Sequence, residues 1–457
     1  MYAQVFKIKF TMSGVVKPYL NISAVFFVAT LIISCGKEEI VPEVFYPRTD
    51  HEAYLHSLEQ SGILQTAVGA TWKDNAYDLL YESIHASLPF KERFFLDPSK
   101  PDGISYRFRV MQGQAIKVDI NKEVTDSLLL FIDLFRVEND SIGLFYHVAS
   151  ADKVDHVLGF EPRVDAEYIL RVQPEILRGG MMDIEITKEP SLDFPVAGAS
   201  NRDIGSFFGD PRDGGRRKHH GVDIFARRHT PIIAPTDGYV RFSGERGLGG
   251  RVVWMRDTKR DQTLYFAHLQ DIYVERGDRL LKGDTLGTVG NTGNARTTPP
   301  HLHFGIYKSG PKDPYHHIAF TRSSFPIVSG DESLIGSWVR TQRPAALYEG
   351  GDLKRRNGQE VPRFQMMRVM AANSSAYRIE LPDGHKAYVS LNALESIAEP
   401  IRNEQLESYT TLFDRPLTDR IPMADLTNCE ELSILGSHDS FWYVSESNGR
   451  SGWVSLP

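Results

Sequence analysis

Five side chains between positions 219 and 303 have types and spacings suited to metal chemistry. In Pro300-His301-Leu302-His303-Phe304, two imidazoles alternate with large apolar residues. On a β-strand, residues two apart share a face, so His301 and His303 point one way while Leu302 and Phe304 pack the other way. Near neutral pH an imidazole serves as a metal ligand or as an acid/base group. A second cluster, His219-His220-Gly221-Val222-Asp223, contains His-x-Gly-x-Asp. Gly221 admits a tight backbone path that brings the His219 ring and the Asp223 carboxylate to one point. A third, Leu264-Tyr265-Phe266-Ala267-His268-Leu269, is an apolar strand ending in a histidine. One His-x-His also occurs on solvated strands, so the inference rests on the combination. His220 points away from His219 on an extended chain, and His316 and His317, after a proline turn, read as surface residues.

The elements that must position these groups are strands. Region 191–325 carries Asp237-Gly238, Gly277-Asp278, Gly283-Asp284 and Gly290-Asn291-Thr292-Gly293 between apolar runs, the punctuation of an all-β domain. Before it, 50–190 begins with apolar residues at helical spacing (Leu55, Leu58, Ala76, Leu79, Leu80, Ile84) and then alternates with period two, as in Tyr106-Arg107-Phe108-Arg109-Val110. This predicts a helical segment followed by an antiparallel sandwich, a structural spacer or docking module. After it, Tyr377-Arg378-Ile379, Asp383-Gly384 and Ala387-Tyr388-Val389 are echoed by Trp442-Tyr443-Val444, Asn448-Gly449 and Gly452-Trp453-Val454. Each copy is strand, hairpin turn, strand.

The chain has 457 residues, too many for one hydrophobic core. A net charge of −7 leaves the whole chain without the basic footprint of a nucleic-acid binder. Two cysteines, Cys35 and Cys429, exclude a disulfide framework. Lys7, Lys9 and Lys17 precede an apolar run from Ile22 to Ile33, shorter than the ~20 residues that span a bilayer. A basic region, a short apolar run and Ser34-Cys35-Gly36 read as a secretory signal.

Set in order, Ser206-x-Phe208-Gly209, His219-x-Gly221-x-Asp223, Tyr265-x-x-His268-Leu269, Gly290-x-Thr292-Gly293 and Pro300-His301-Leu302-His303-Phe304 resemble the lysostaphin/LytM-type zinc metallopeptidases, which cleave peptides of bacterial peptidoglycan. The resemblance covers under a third of the chain. It implies a zinc endopeptidase with His219, Asp223 and His303 as metal ligands and His268 and His301 as catalytic histidines. In that scheme neutral His301 accepts the water proton and passes it to the leaving amine, and His268 stabilises the developing oxyanion, roles that are exchangeable. Two imidazoles and one carboxylate with an open fourth position are the usual plan of a catalytic zinc. Pro299 and Gly305 depart from the family pattern without touching these five residues. The alternatives are a non-catalytic regulator of the same fold, whose members usually lack the ligands, and a wall-binding scaffold.

Ile32-Ile33-Ser34-Cys35 resembles a bacterial lipobox, which implies lipidation of Cys35 and attachment to a membrane without spanning it. Lys37-Glu38-Glu39 resembles the export signal of surface lipoproteins, although a solvated linker also accounts for it. The C-terminal copies resemble bacterial SH3-like barrels. The expected organisation is mainly β: signal peptide 1–34, tether 35–49, helical segment and sandwich 50–190, zinc peptidase 191–325, and SH3-like domains 330–400 and 405–457. The expected partners are peptidoglycan and, through the lipid, a membrane of the cell envelope, an outer membrane in the first instance.

Overall fold

The computed structural model describes residues 49–123, 128–320, 325–427 and 430–455. The signal segment, Cys35 and Cys429 lie outside them. The described chain is mainly β.

Two helices open it. Asp50–Gln60 (α1) starts where the Thr49 hydroxyl accepts from the Glu52 amide, and Ala67–Tyr81 (α2) where the Thr66 hydroxyl accepts from Gly69. Each cap satisfies an amide that the first helical turn leaves without a partner. Leu58 and Trp72 from these helices pack on Phe131 of the sandwich behind them. The Trp72 indole N–H donates to the Pro174 carbonyl at 2.8 Å. His51 stacks on Trp72 and is hydrogen-bonded to Gln173 Oε1 at 2.9 Å. Gln173 Nε2 donates to the Trp72 carbonyl, which fixes its amide orientation, so His51 Nε2 is the donor.

The alternating stretches form a sandwich. One sheet runs Ile84–His85, Ile104–Val110, Ala166–Pro174, Leu130–Asn139, Leu144–Ser150; all pairs are antiparallel except the first. The other contains Phe90–Leu96, Gly180–Pro190, Gln114–Lys122 and Val157–Phe160. Their facing residues, among them Phe94, Tyr106, Val118, Leu134, Leu170 and Ile184, make one core.

The second sheet does not stop at Phe90–Leu96. That strand also pairs with Met366–Ala372 from the first C-terminal copy, with Arg93 opposite Ala372 and Phe94 opposite Ala371. An 11-stranded sheet results. Under the junction, the fully buried Glu92 carboxylate accepts from the Tyr106 and Tyr388 hydroxyls, both at 2.7 Å. The sandwich and this copy are thus joined by main-chain pairing and by a shared buried charge.

Both repeated motifs are hairpins. Ala376–Glu380 pairs with Lys386–Ser390, and Phe441–Glu446 with Ser451–Val454. Gly384 and Gly449 turn them at φ 87° and 85°, where a side chain would be strained. The last copy has its own small core around Leu412, Ile434 and Val444.

Region 191–325 is an eight-stranded sheet in the order Ile204–Ser206, Val222–Phe225, His301–Tyr307, Gln262–Ala267, Arg251–Asp257, Gly238–Glu245, Arg279–Leu280, with Pro311–Lys312 hairpinned onto His301–Tyr307. A three-stranded sheet, Pro231–Ile233, Thr285–Val289 and Leu269–Ile272, accompanies it. Val222, Ile224, Phe266, Leu302 and Phe304 fill the core of this region. One expectation is corrected here. His317 is buried, not a surface residue: its ring lies 3.1 Å from Ser191 Oγ, and its carbonyl accepts from the Leu192 amide. A short helix, Tyr315–Ile318, follows the proline and turns the ring inward.

Burial, with the positive Arg171 nearby, pushes His51 down from 6.5 to about 4. Burial, with Arg260 nearby, does the same to His317. Both folded-state values lie below the unfolded one. Each residue therefore contributes stability that is complete above about pH 6.5 and lost as the pH falls toward 4, on the order of 3 kcal/mol apiece. Denaturant unfolding from pH 7.5 to 4.5 should show this decline, and His51→Gln should flatten it. An unchanged slope in that variant would exclude His51 as a contributor.

Candidate metal centre

The site forms where three strands lie side by side. Val222–Phe225 runs antiparallel to His301–Tyr307, with Asp223 opposite His303 and Phe225 opposite His301. Gln262–Ala267 flanks the other side, with Ala267 opposite His303. Leu302, Phe304 and Ile306 are completely buried. One face of this strand is core, so the alternate face must present His301 and His303 together.

His219 Nε2, Asp223 Oδ1 and His303 Nδ1 close a triangle. The two nitrogens are 2.9 Å apart, and each is 3.0 Å from the oxygen. His219 Nδ1 lies 2.8 Å from the Phe207 carbonyl. A carbonyl only accepts, so Nδ1 carries the proton and the Nε2 lone pair faces the triangle. A Cβ on Gly221 would overlap the Phe304 carbonyl oxygen and sit 2.9 Å from the His303 ring. Glycine is required at 221 because of this close approach.

Asp223 Oδ2 accepts from Arg212 Nη2 at 2.8 Å. The same nitrogen donates to Ser206 Oγ at 2.5 Å, and Ser206 Oγ lies 3.2 Å from His219 Nδ1. Arg212 therefore braces two corners of the triangle. Burial alone would raise the Asp223 pKa, but the imidazoles of His219 and His303 beside it outweigh burial and hold the carboxyl well below the usual range.

This donor set fits a divalent metal. Two imidazole nitrogens and one carboxylate oxygen converge, and a main-chain acceptor or a cation holds the outer atoms of His219 and Asp223. Tetrahedral bonds of about 2.0–2.1 Å separate ligand atoms by about 3.3 Å. The triangle would need to open by only a few tenths of an ångström. Among the described residues it is the one group of His, Cys, Asp or Glu side chains placed to hold a metal ion.

His268 and His301 stand beside it. Their rings are 5.0 Å apart, and the His268 ring is 6.0 Å from that of His303. His268 ends its strand at φ 66°, in the left-handed region that a non-glycine residue enters at a cost of order 1–3 kcal/mol. Its amide donates to the Gly249 carbonyl at 2.9 Å, and its Nδ1 donates to the Thr292 carbonyl at 2.9 Å. His301 Nδ1 donates to the Pro299 carbonyl at 2.8 Å. Both rings thus keep a lone pair on Nε2. Burial, then the neighbouring His301 and His303, pushes His268 down to about 4.

The structure therefore brings all five sequence-selected residues together. His220 is exposed, against Phe208, and outside the group. Sequence reasoning missed Arg212, which sits near Arg216-Arg217-Lys218 and had nothing to set it apart. It gave no role to Tyr265, whose ring meets His303 edge-on at 5.8 Å. The carbonyls of Phe207, Thr292 and Pro299 carry no side-chain signature at all.

Residues 217–314, a span that includes all five, match the model of Peptidase family M23. The chain is 35% identical over 138 residues to the L-Ala--D-Glu endopeptidase of Bacillus subtilis, covering 27% of this chain and 42% of that protein. It is 39% identical over 100 residues to the peptidoglycan DD-endopeptidase ShyC of Vibrio cholerae, covering 22% of each. The solved catalytic domain of lysostaphin from Staphylococcus simulans aligns at 29% identity over 24% of this chain and 86% of that one, with a TM-score of 0.22. The chain thus carries an M23-type peptidase domain, and it spans less than half the length of the curated relatives named here.

Gly221→Ala should leave the sheet folded but push the His303 ring and the Phe304 carbonyl apart. Metal per chain at neutral pH should drop, along with the rise in melting temperature that added metal produces. Full metal content in that variant would mean that the strands can separate without loss of the site.

Proposed function

We propose that the protein is a zinc-dependent endopeptidase that hydrolyses stem peptides or cross-links of bacterial peptidoglycan. The observation that carries this reading is the His219–Asp223–His303 triangle with two further imidazoles beside it, each with a bare Nε2. A complete ligand set favours an enzyme over a regulator of the same fold. It also favours a catalytic zinc over a structural one, which is usually closed by four protein ligands.

When bound, zinc supplies an activated water and a Lewis acid for the scissile carbonyl. His219 Nε2, Asp223 Oδ1 and His303 Nδ1 would hold it. His301 Nε2 takes a proton from the attacking water and returns it to the leaving amine. His268 in its neutral form is also an acceptor, and burial keeps it neutral at pH 7. It orients the water; as a donor to the oxyanion it would first need a proton on Nε2. Burial pushes the Tyr265 hydroxyl up to about 12. It remains a neutral donor on the His303 face and is assigned to the developing oxyanion.

The relatives bear the names of L-Ala--D-Glu, DD- and glycyl-glycine endopeptidases. Different bonds are thus served by similar domains, and the bond cleaved here is set by residues outside the shared five. The C-terminal copies, read as SH3-like barrels, place the enzyme on the wall. Lipidated Cys35 tethers it to the outer membrane. No helix among the described residues is long and apolar enough to cross a membrane.

Purified protein should release peptides from sacculi, and a chelator should abolish the release until zinc is restored. Asp223→Ala should lose most metal. His301→Ala and His268→Ala should keep it and lose turnover by about 10²–10⁴-fold. Loss of zinc from His301→Ala would make His301 a ligand and overturn the division of roles.

Mature protein should begin at Cys35 and partition with membranes, and Cys35→Ser should be released. A ~12-residue apolar run is too short to anchor by spanning. Retention of that variant after signal cleavage would exclude a lipid-only anchor.

A further inference from the structure

A cleft of about 1140 Å³ lies between the sandwich and the peptidase region. Four chain segments, around 112–117, 157–163, 259–262 and 308–317, line it together with Ser191. Its charge is distinctive. Lys117, Arg163, Lys259, Arg260, Lys308 and Lys312 face Glu161 and Asp261, a surplus of four positive charges in a chain whose net charge is −7.

The two carboxylates are already used. Glu161 bridges the regions, taking Lys259 Nζ at 2.6 Å and Arg260 Nε at 2.8 Å. Asp261 pairs with Arg256 and stands 3.8 Å from Lys308. Lys117, Arg163 and Lys312 are exposed, and none has a carboxylate partner among the described residues. Three unpaired cations along one trough repel one another, and an anionic ligand relieves that repulsion.

The cations sit on separate lining segments of the cleft. A single phosphate wants several donors aimed at one point. Charges strung along a trough with Val157 and Phe160 in its wall suit an extended polymer that has apolar faces and well-spaced single negative charges. Position adds to this. Lys308 lies five residues after His303 along the same extended segment, roughly 17 Å at about 3.3–3.4 Å per residue. The Lys308–Lys312 hairpin is fixed to the strand that carries His301 and His303.

We propose that this cleft is a second binding site for peptidoglycan, which grips the free carboxylates of stem peptides that are not being cleaved. The identity of the polymer rests on the peptidase reading above; the cationic character of the cleft does not. Such an exosite raises the local concentration of scissile peptide and sets the direction in which the polymer crosses the metal centre.

The test uses the full chain with Lys117→Glu, Arg163→Glu and Lys312→Glu combined. None of the three is in an ion pair or in the metal centre, so the unfolding midpoint and the turnover of a short soluble peptide should be unchanged. Co-sedimentation with purified sacculi should weaken by at least about tenfold, and its salt dependence should become shallower. Equal affinity of wild type and variant for sacculi would overturn the proposal. So would equal binding of wild type to sacculi stripped of their peptides by an amidase, or preferential binding to anionic phospholipid vesicles that the variant loses. If wild type cleaves no peptide at all, the enzymatic reading fails, but the sacculus comparison still decides the exosite.

Discussion

The carboxylate of Asp223 is a charge taken out of water, and the surroundings of the metal centre follow from having to satisfy it. One oxygen faces two imidazoles at 3.0 Å and the other an arginine at 2.8 Å. Stripping such a buried charge of a partner costs about 3–5 kcal/mol, so the strands that bring the partners cannot drift. This fixes the register of Val222–Phe225 against His301–Tyr307, the missing side chain at Gly221, and the loop that returns Ser206 and Arg212. The three atoms gathered around this charge are those a divalent metal requires.

His268 and His301 obey a different constraint. Their main-chain hydrogen bonds settle which nitrogen is bare, and burial settles that His268 stays neutral. The triangle and the two flanking histidines therefore depend on different supports. The first depends on side chains clustered around one charge, and the second on carbonyls at Thr292 and Pro299 that hold rings in place.

Away from the centre, the molecule is not a string of independent beads. Phe90–Leu96 belongs at once to the sandwich and to the sheet of the first C-terminal copy. Glu92 is satisfied by one tyrosine from each side, Tyr106 and Tyr388, with Arg378 of the C-terminal copy 3.7 Å away. Separating the two bodies would break main-chain hydrogen bonds and strand a carboxylate in an apolar core. Removing the C-terminal copies would bare a strand edge in the sandwich. On the peptidase side, Glu161 ties the sandwich to Lys259 and Arg260, and the cationic cleft opens at that junction.

The sequence by itself determined whatever depends on local spacing. Alternation around His301 and His303 assigned them to one face because the strand period is two. Glycine between His219 and Asp223 marked a close backbone approach, and Asp383-Gly384 and Asn448-Gly449 marked hairpins through their need for positive φ. Helical and alternating stretches separated the first helices from the sandwich. Tertiary structure alone decided what depends on partners distant in the chain. No local pattern distinguishes Arg212 from its basic neighbours; its role exists only because the loop folds back to Asp223 Oδ2. His317 looked like a surface residue after a proline, but the Leu192 amide and Ser191 hydroxyl that enclose it lie some 125 residues earlier. The edge of Phe90–Leu96 gives no hint that Met366–Ala372 will complete it, because unpaired strand edges are alike in sequence and their pairing is settled by which cores come to rest side by side.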